Sequence, residues 1–205
     1  MLYEEKRREL TEICHLLYER NLVTATDGNV SVRVSEKHIL LTPSGKNKGF
    51  LKPEEMLVVD LDGCVIEGEG KASKEFPMHR AVYLERRDVG AVVHTHPVYA
   101  TAFALAGKNI PEDHLIETRM MLKKVALAGY ATPGTLEMAE VIAPFIADTN
   151  AILLQNHGAL AVGRDLMDAF NKMEVLESIA KTIIMSKLIG KPVLISQENL
   201  DKMKK

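Results

Sequence analysis

Gly90-Ala-Val-Val-His-Thr-His96-Pro97 decides the fold. Its apolar start reads as a buried strand. Pro97 then opens an Ala-rich helix that should end near Gly107. His94 and His96 stand at i and i+2, so on a strand their side chains leave the same face, roughly 6.6 Å apart along the chain. Two imidazoles placed this way can converge on one ion. A second apolar pair, Ala151–Leu154 and Ala159–Val162, brackets the turn Gln155-Asn-His-Gly158 and holds a third histidine, His157, at a strand end. Three nitrogen donors suit zinc, and three protein ligands with an open position mark a catalytic rather than a structural site.

Outward from this centre, Leu10, Ile13, Cys14 and Leu17 fall at helical spacing and predict a helix over about 4–20. Residues 29–34 alternate like a half-buried strand and turn into 38–42, a hairpin. Residues 57–61 and 64–66 flank Asp62-Gly63, a strong hairpin signal. Helices are expected over 76–87, with Pro77 in the first turn, over 135–147, and over 165–189, the last stopping at Gly190 before Pro192. The final helix carries Met173, Leu176, Ile179, Ala180, Ile183 and Ile184, a stripe expected to pack on the sheet and in part to serve a subunit contact. No repeat or linker interrupts the chain. Hairpins mixed with covering helices predict a mixed sheet between helical layers in one domain, 1–205.

Composition narrows the function. A formal net charge of -2 argues against a broad nucleic-acid footprint. No apolar run has membrane length, and no signal peptide is evident. The two cysteines, Cys14 and Cys64, lack metal spacing. A cytoplasmic protein is expected.

Of the other histidines, His15 and His38 read as solvated or capping residues. His79 lies four residues after Glu75, where packing or hydrogen bonding is the expected role. His114 falls in a loop. Glu75 sits in Lys71-Ala-Ser-Lys-Glu-Phe76 at a helix start, with Ser73 as a candidate cap. Negative charge is favoured there, so spacing alone leaves open whether Glu75 moves a proton or only stabilises the helix. Asp27-Gly-Asn29, Thr42-Pro-Ser-Gly45 and Ser73-Lys74 offer backbone N–H groups, hydroxyls and one cation that could hold an oxyanion. No Walker or dinucleotide glycine pattern is present.

Together, Gly28-Asn29-Val-Ser, Thr42-Pro-Ser-Gly45, Ser73-Lys-Glu75, His94-Thr-His96 and Gln155-Asn-His-Gly158 resemble the class II aldolase/adducin family, closest to its L-fuculose-phosphate aldolases, over nearly the whole chain. The resemblance implies a three-layer α/β/α fold with a mixed, largely antiparallel sheet, one catalytic Zn2+ per subunit, and a homotetramer with sites between subunits. It implies that His94, His96 and His157 bind the zinc and that Glu75 is both acid/base and a resting ligand. Gly28, Asn29, Ser44, Gly45, Ser73 and Lys74 would surround the substrate phosphate. The implied reaction is reversible cleavage of a ketose 1-phosphate, expected to be L-fuculose 1-phosphate, through a metal-stabilised enediolate to dihydroxyacetone phosphate and L-lactaldehyde, as in fucose degradation. Two positions depart from the family: Lys74 stands where a second serine is common, and Leu115 where the fuculose-phosphate aldolases often carry tyrosine. Tyr130 is another tyrosine with no assigned role. A pentulose-5-phosphate 4-epimerase usually has aspartate at position 75. A methylthioribulose-1-phosphate dehydratase also uses zinc and glutamate. An adducin-like scaffold is expected to lack the metal set.

Overall fold

A computed structural model describes residues 1–203. Its strands are β1 (Asn29–Arg33), β2 (His38–Leu41), β3 (Leu57–Asp60), β4 (Val65–Glu67), β5 (Ala91–Thr95), β6 (Val125–Ala128), β7 (Ala151–Leu154) and β8 (Gly158–Gly163). They form one eight-stranded sheet in the order β4-β3-β2-β1-β5-β8-β7-β6. Neighbours are antiparallel except β6 and β7, which run parallel. The helices are α1 (Glu4–Glu19), α2 (Phe76–Glu85), α3 (Val98–Leu105), α4 (Glu137–Ile146), α5 (Leu166–Ile189) and α6 (Gln197–Lys202).

Alternation along the strands divides the core into two. Val30, Val32, Ala91, Val93, Ala159 and Ala161 pack with α1, α3 and α5 on one face. Ile39, Leu41, Val92, Leu160 and Val162 pack with α2 and α4 on the other. The result is the expected three layers. Both faces of β5 are covered, which is why its sequence shows no polar alternation. The α5 stripe is buried as expected, and the Asp165 side chain caps that helix by accepting from Asp168 N–H.

The strand β6 and the helix α6 were not expected, nor was the π-helical turn Thr118–Leu122. Because β6 is a four-residue run, Val-Ala-Leu-Ala, too short to tell from a buried helical turn, only its pairing with β7 identifies it. Its parallel direction follows from the crossover through α4.

Candidate metal centre and pocket

Since His94 and His96 share the parity of Val92, they leave the sheet on the α2/α4 side. His94 is fully buried as the penultimate residue of β5, and His96 follows the strand. His157 sits between β7 and β8, held by its N–H on Leu154 O and by Asn156 in the left-handed region at φ 58°. The three ring centroids lie 4.8–5.0 Å apart, and one ligand atom from each ring falls within 4.8 Å of the others. Two glycines permit this closeness. A Cβ on Gly158 would sit 2.6 Å from His96 Cδ2, and one on Gly28, which adopts φ +72°, 2.7 Å from the His94 carbonyl oxygen.

Glu75 occupies the N-cap position of α2. Its Oε1 lies 3.1 Å from His157 Nε2 and its Oε2 3.3 Å from His94 Nε2. Burial disfavours its charge, but the imidazoles of His157 and His94, where protonated, outweigh that by hydrogen bonds and positive charge and hold the carboxyl well below the usual carboxylate range. Burial, with His94 and His157 nearby, pushes His96 down to about 4. His96 is therefore neutral at pH 7, as a metal ligand must be.

The donor set fits a cation. His94 Nδ1 lies 2.9 Å from the carbonyl oxygen of Ala159. A carbonyl only accepts, so this nitrogen carries the proton, and in the neutral ring Nε2 is left bare. That bare nitrogen faces a carboxylate oxygen and, at 3.2 Å, His96 Nε2. Such a cluster calls for positive charge, which a bound cation or a proton on an imidazole supplies. The histidine triad could therefore hold a metal, with Glu75 beside it. His157 differs from His94 in that its Nδ1 is buried with no hydrogen-bond partner among the described residues.

Glu75, His96 and His157 open onto a cavity of about 370 Å³. Gly28, Asn29, Ser44, Gly45, Ser73 and Lys74, the expected anion-binding residues, all line it. Two details differ from expectation. Ser73 does not cap α2; its Oγ accepts from the Glu75 N–H at 3.2 Å, one turn earlier. The Asn29 amide is already engaged, since Nδ2 donates to Glu75 Oε2 at 2.7 Å and Oδ1 meets His79 Nε2 at 2.6 Å. His79 is thus the buried hydrogen-bonding residue its position suggested. His15 and His38 bond Leu51 O and the Tyr3 hydroxyl, and His114 pairs with Asp113. Leu115 packs against the core, while Tyr130 is exposed and away from the cavity lining.

Lys48 escaped the sequence reading. It is 1% exposed, yet it lines the cavity and donates to the carbonyl oxygens of Thr26 and Lys46 at 2.8 and 2.9 Å. Burial lowers its pKa, against the pull of Cys14, Asp27 and Glu75. An ammonium has three donors, so among the described residues one is left for a ligand.

Residues 8–184 match the model of the Class II Aldolase and Adducin N-terminal domain. An L-fuculose phosphate aldolase from Methanococcus maripaludis is 42% identical over 83% of this chain and 91% of its own. A 5-deoxy-D-ribulose 1-phosphate aldolase from Bacillus thuringiensis is 34% identical over 100% of this chain and 96% of its own. A 3-oxo-tetronate 4-phosphate decarboxylase from Escherichia coli is 34% identical over 87% and 86%. A solved L-fuculose 1-phosphate aldolase superposes with a TM-score of 0.90 at 35% identity, over 99% of this chain and 96% of that one. With a histidine triad that could hold a metal beside a carboxylate, the chain belongs to the class II aldolase and adducin family, and within it to the enzymes, the aldolases.

Proposed function

We propose that this enzyme reversibly cleaves L-fuculose 1-phosphate to dihydroxyacetone phosphate and L-lactaldehyde, with one zinc ion held by His94, His96 and His157. One observation carries the reading. Glu75 is poised between two of the three imidazoles at the mouth of a cavity rich in anion donors. When bound, a divalent cation supplies Lewis acidity to the substrate's hydroxyl and carbonyl oxygens.

The chain's own residues do the rest. The turns at Gly28, at Ser44-Gly45 and at Ser73-Lys74 present N–H groups and hydroxyls to the phosphate, with Lys48 as a buried cation behind them. When the C3–C4 bond breaks, the C4 hydroxyl gives up its proton as it becomes the aldehyde carbonyl, the electron pair stays with the three-carbon fragment, and Glu75 takes up that proton and delivers it to C3. In synthesis Glu75 removes that proton. Leaving the imidazoles for the substrate frees Glu75 for this work. Leu115, packed against the core, gives the aldehyde end no hydroxyl. This favours a small aldehyde and makes 5-deoxy-D-ribulose 1-phosphate, whose aldehyde is acetaldehyde, the second substrate to try. We also propose a cytoplasmic homotetramer of single-domain subunits.

The test is incubation of the zinc-loaded protein with each ketose phosphate, following dihydroxyacetone phosphate through a coupled reductase. Release from L-fuculose 1-phosphate is expected. Its absence from both ketoses, with dehydration, epimerisation or decarboxylation of other sugar phosphates instead, defeats the reading. Light scattering should find the mass of four chains, and metal analysis one zinc per chain.

A further inference from the structure

Behind Glu75 runs a buried line of polar side chains that the proposed reaction does not use. Glu75 Oε2 accepts from Asn29 Nδ2 at 2.7 Å. Asn29 Oδ1 is 2.6 Å from His79 Nε2, His79 Nδ1 is 2.7 Å from Ser31 Oγ, and Ser31 Oγ is 2.8 Å from the Tyr83 hydroxyl. Ser31 and His79 are fully buried, and Tyr83 and Asn29 nearly so. Such lines are costly to bury unless every member is satisfied.

Every role in this line is forced from one end. An ionised carboxylate only accepts, so the amide turns its NH2 to Glu75 and its oxygen to His79. His79 Nε2 must then carry the proton, which leaves Nδ1 to accept from the Ser31 hydroxyl. Ser31 in turn accepts from Tyr83. Burial, with His94 nearby, pushes His79 down to about 3. The imidazole therefore stays neutral, which this pattern needs, since a protonated ring would donate from both nitrogens.

The line also makes the two oxygens of Glu75 unequal. Oε2 is held by an amide donor that cannot accept a proton in return and also faces His94 Nε2 at 3.3 Å, whereas Oε1 meets only His157 among the described residues. We propose that His79 is a positioning residue which, through Asn29, fixes Glu75 Oε2 and leaves Oε1 as the oxygen that exchanges the proton with C3. This rests on the aldolase reading above. Each turnover balances: in cleavage Oε1 takes up the proton that the C4 hydroxyl releases, gives it to C3 and returns to carboxylate, while the donors from Tyr83 to Asn29 keep their protons throughout.

The experiment measures exchange of the C3 hydrogen of dihydroxyacetone phosphate in D2O by proton NMR, with zinc-loaded enzyme and no aldehyde. His79→Leu removes the donor and fills the space. It should lower the exchange kcat by about 10–100-fold and leave KM for dihydroxyacetone phosphate within about threefold, with zinc content unchanged. His79→Gln can place an amide N–H near the Nε2 position and should recover most of the loss. An unchanged kcat in His79→Leu, or His79→Gln no better than His79→Leu, overturns the proposal. Nitrogen-15 NMR of histidine-labelled wild type needs no variant: Nε2–H at His79 is expected, and Nδ1–H overturns the line of bonds. Wild-type enzyme that exchanges no C3 hydrogen defeats the aldolase reading instead, and the tautomer measurement still decides the hydrogen-bonded line.

Discussion

Replacing Glu75 by glutamine keeps its shape and removes its basicity. Glu75→Gln should retain the metal, because the three imidazoles remain, and lose about 10²–10⁴-fold in turnover, the usual worth of a general acid/base. Metal analysis beside a turnover assay checks both halves; unchanged turnover removes Glu75 from the chemistry. Lys48→Met keeps the buried hydrocarbon and deletes the ammonium. It should raise KM for the phosphorylated substrate, with a much smaller effect on a non-phosphorylated ketose. Equal effects on the two would reduce Lys48 to a brace between the carbonyls of Thr26 and Lys46. The contrast between these residues explains what could be read in advance. His94 and His96 announce themselves because strand parity is a fixed geometric rule, and His157 because it closes an apolar run. Lys48 is silent. A lysine between Asn47 and Gly49 reads as solvated, and only the approach of residues 24–28 to 43–48 buries it. The Asn29–His79 contact is hidden for the same reason, since its partners lie 50 positions apart.

At the scale of elements, two loops meet strand ends where a side chain will not fit. Gly28→Ala forces a left-handed backbone on alanine and drives its Cβ to 2.7 Å from the His94 carbonyl. A loss of about 1–3 kcal/mol in unfolding free energy is expected, together with weaker metal binding, because the strain falls on a ligand's own backbone. Denaturant melting and a metal titration would show it; stability lost with metal affinity intact would separate the loop from the centre. Removing the α5 cap with Asp165→Ala should cost about 1 kcal/mol and leave activity alone, since the cap lies outside the cavity. Most elements were legible because their periodicity is long or their turns are specific: α5 runs 24 residues and β3–β4 turns on Asp62-Gly63. The strand β6 was not, because four apolar residues after Lys123-Lys124 carry no period, and the sheet supplies the missing information.

Across the whole molecule, the proposed metal ligands come from the end of β5 and the turn before β8, adjacent strands in the middle of the sheet, while Asp27–Gly28 and Ser44–Gly45 come from connecting turns. Metal binding should therefore stabilise the entire fold. At a free ion concentration about 100 times its dissociation constant the gain is about 2.7 kcal/mol, so a chelator should lower the melting temperature in a single cooperative step. A melt insensitive to chelator would argue against a centre held by the folded sheet. Placement at the sheet's middle has one more consequence. Amide hydrogens of β5 and β8 should trade with solvent only when everything opens, those of the two turns far sooner. On the proposed function, the turns would slacken their hold on a sugar phosphate many times over while the sheet kept the ion.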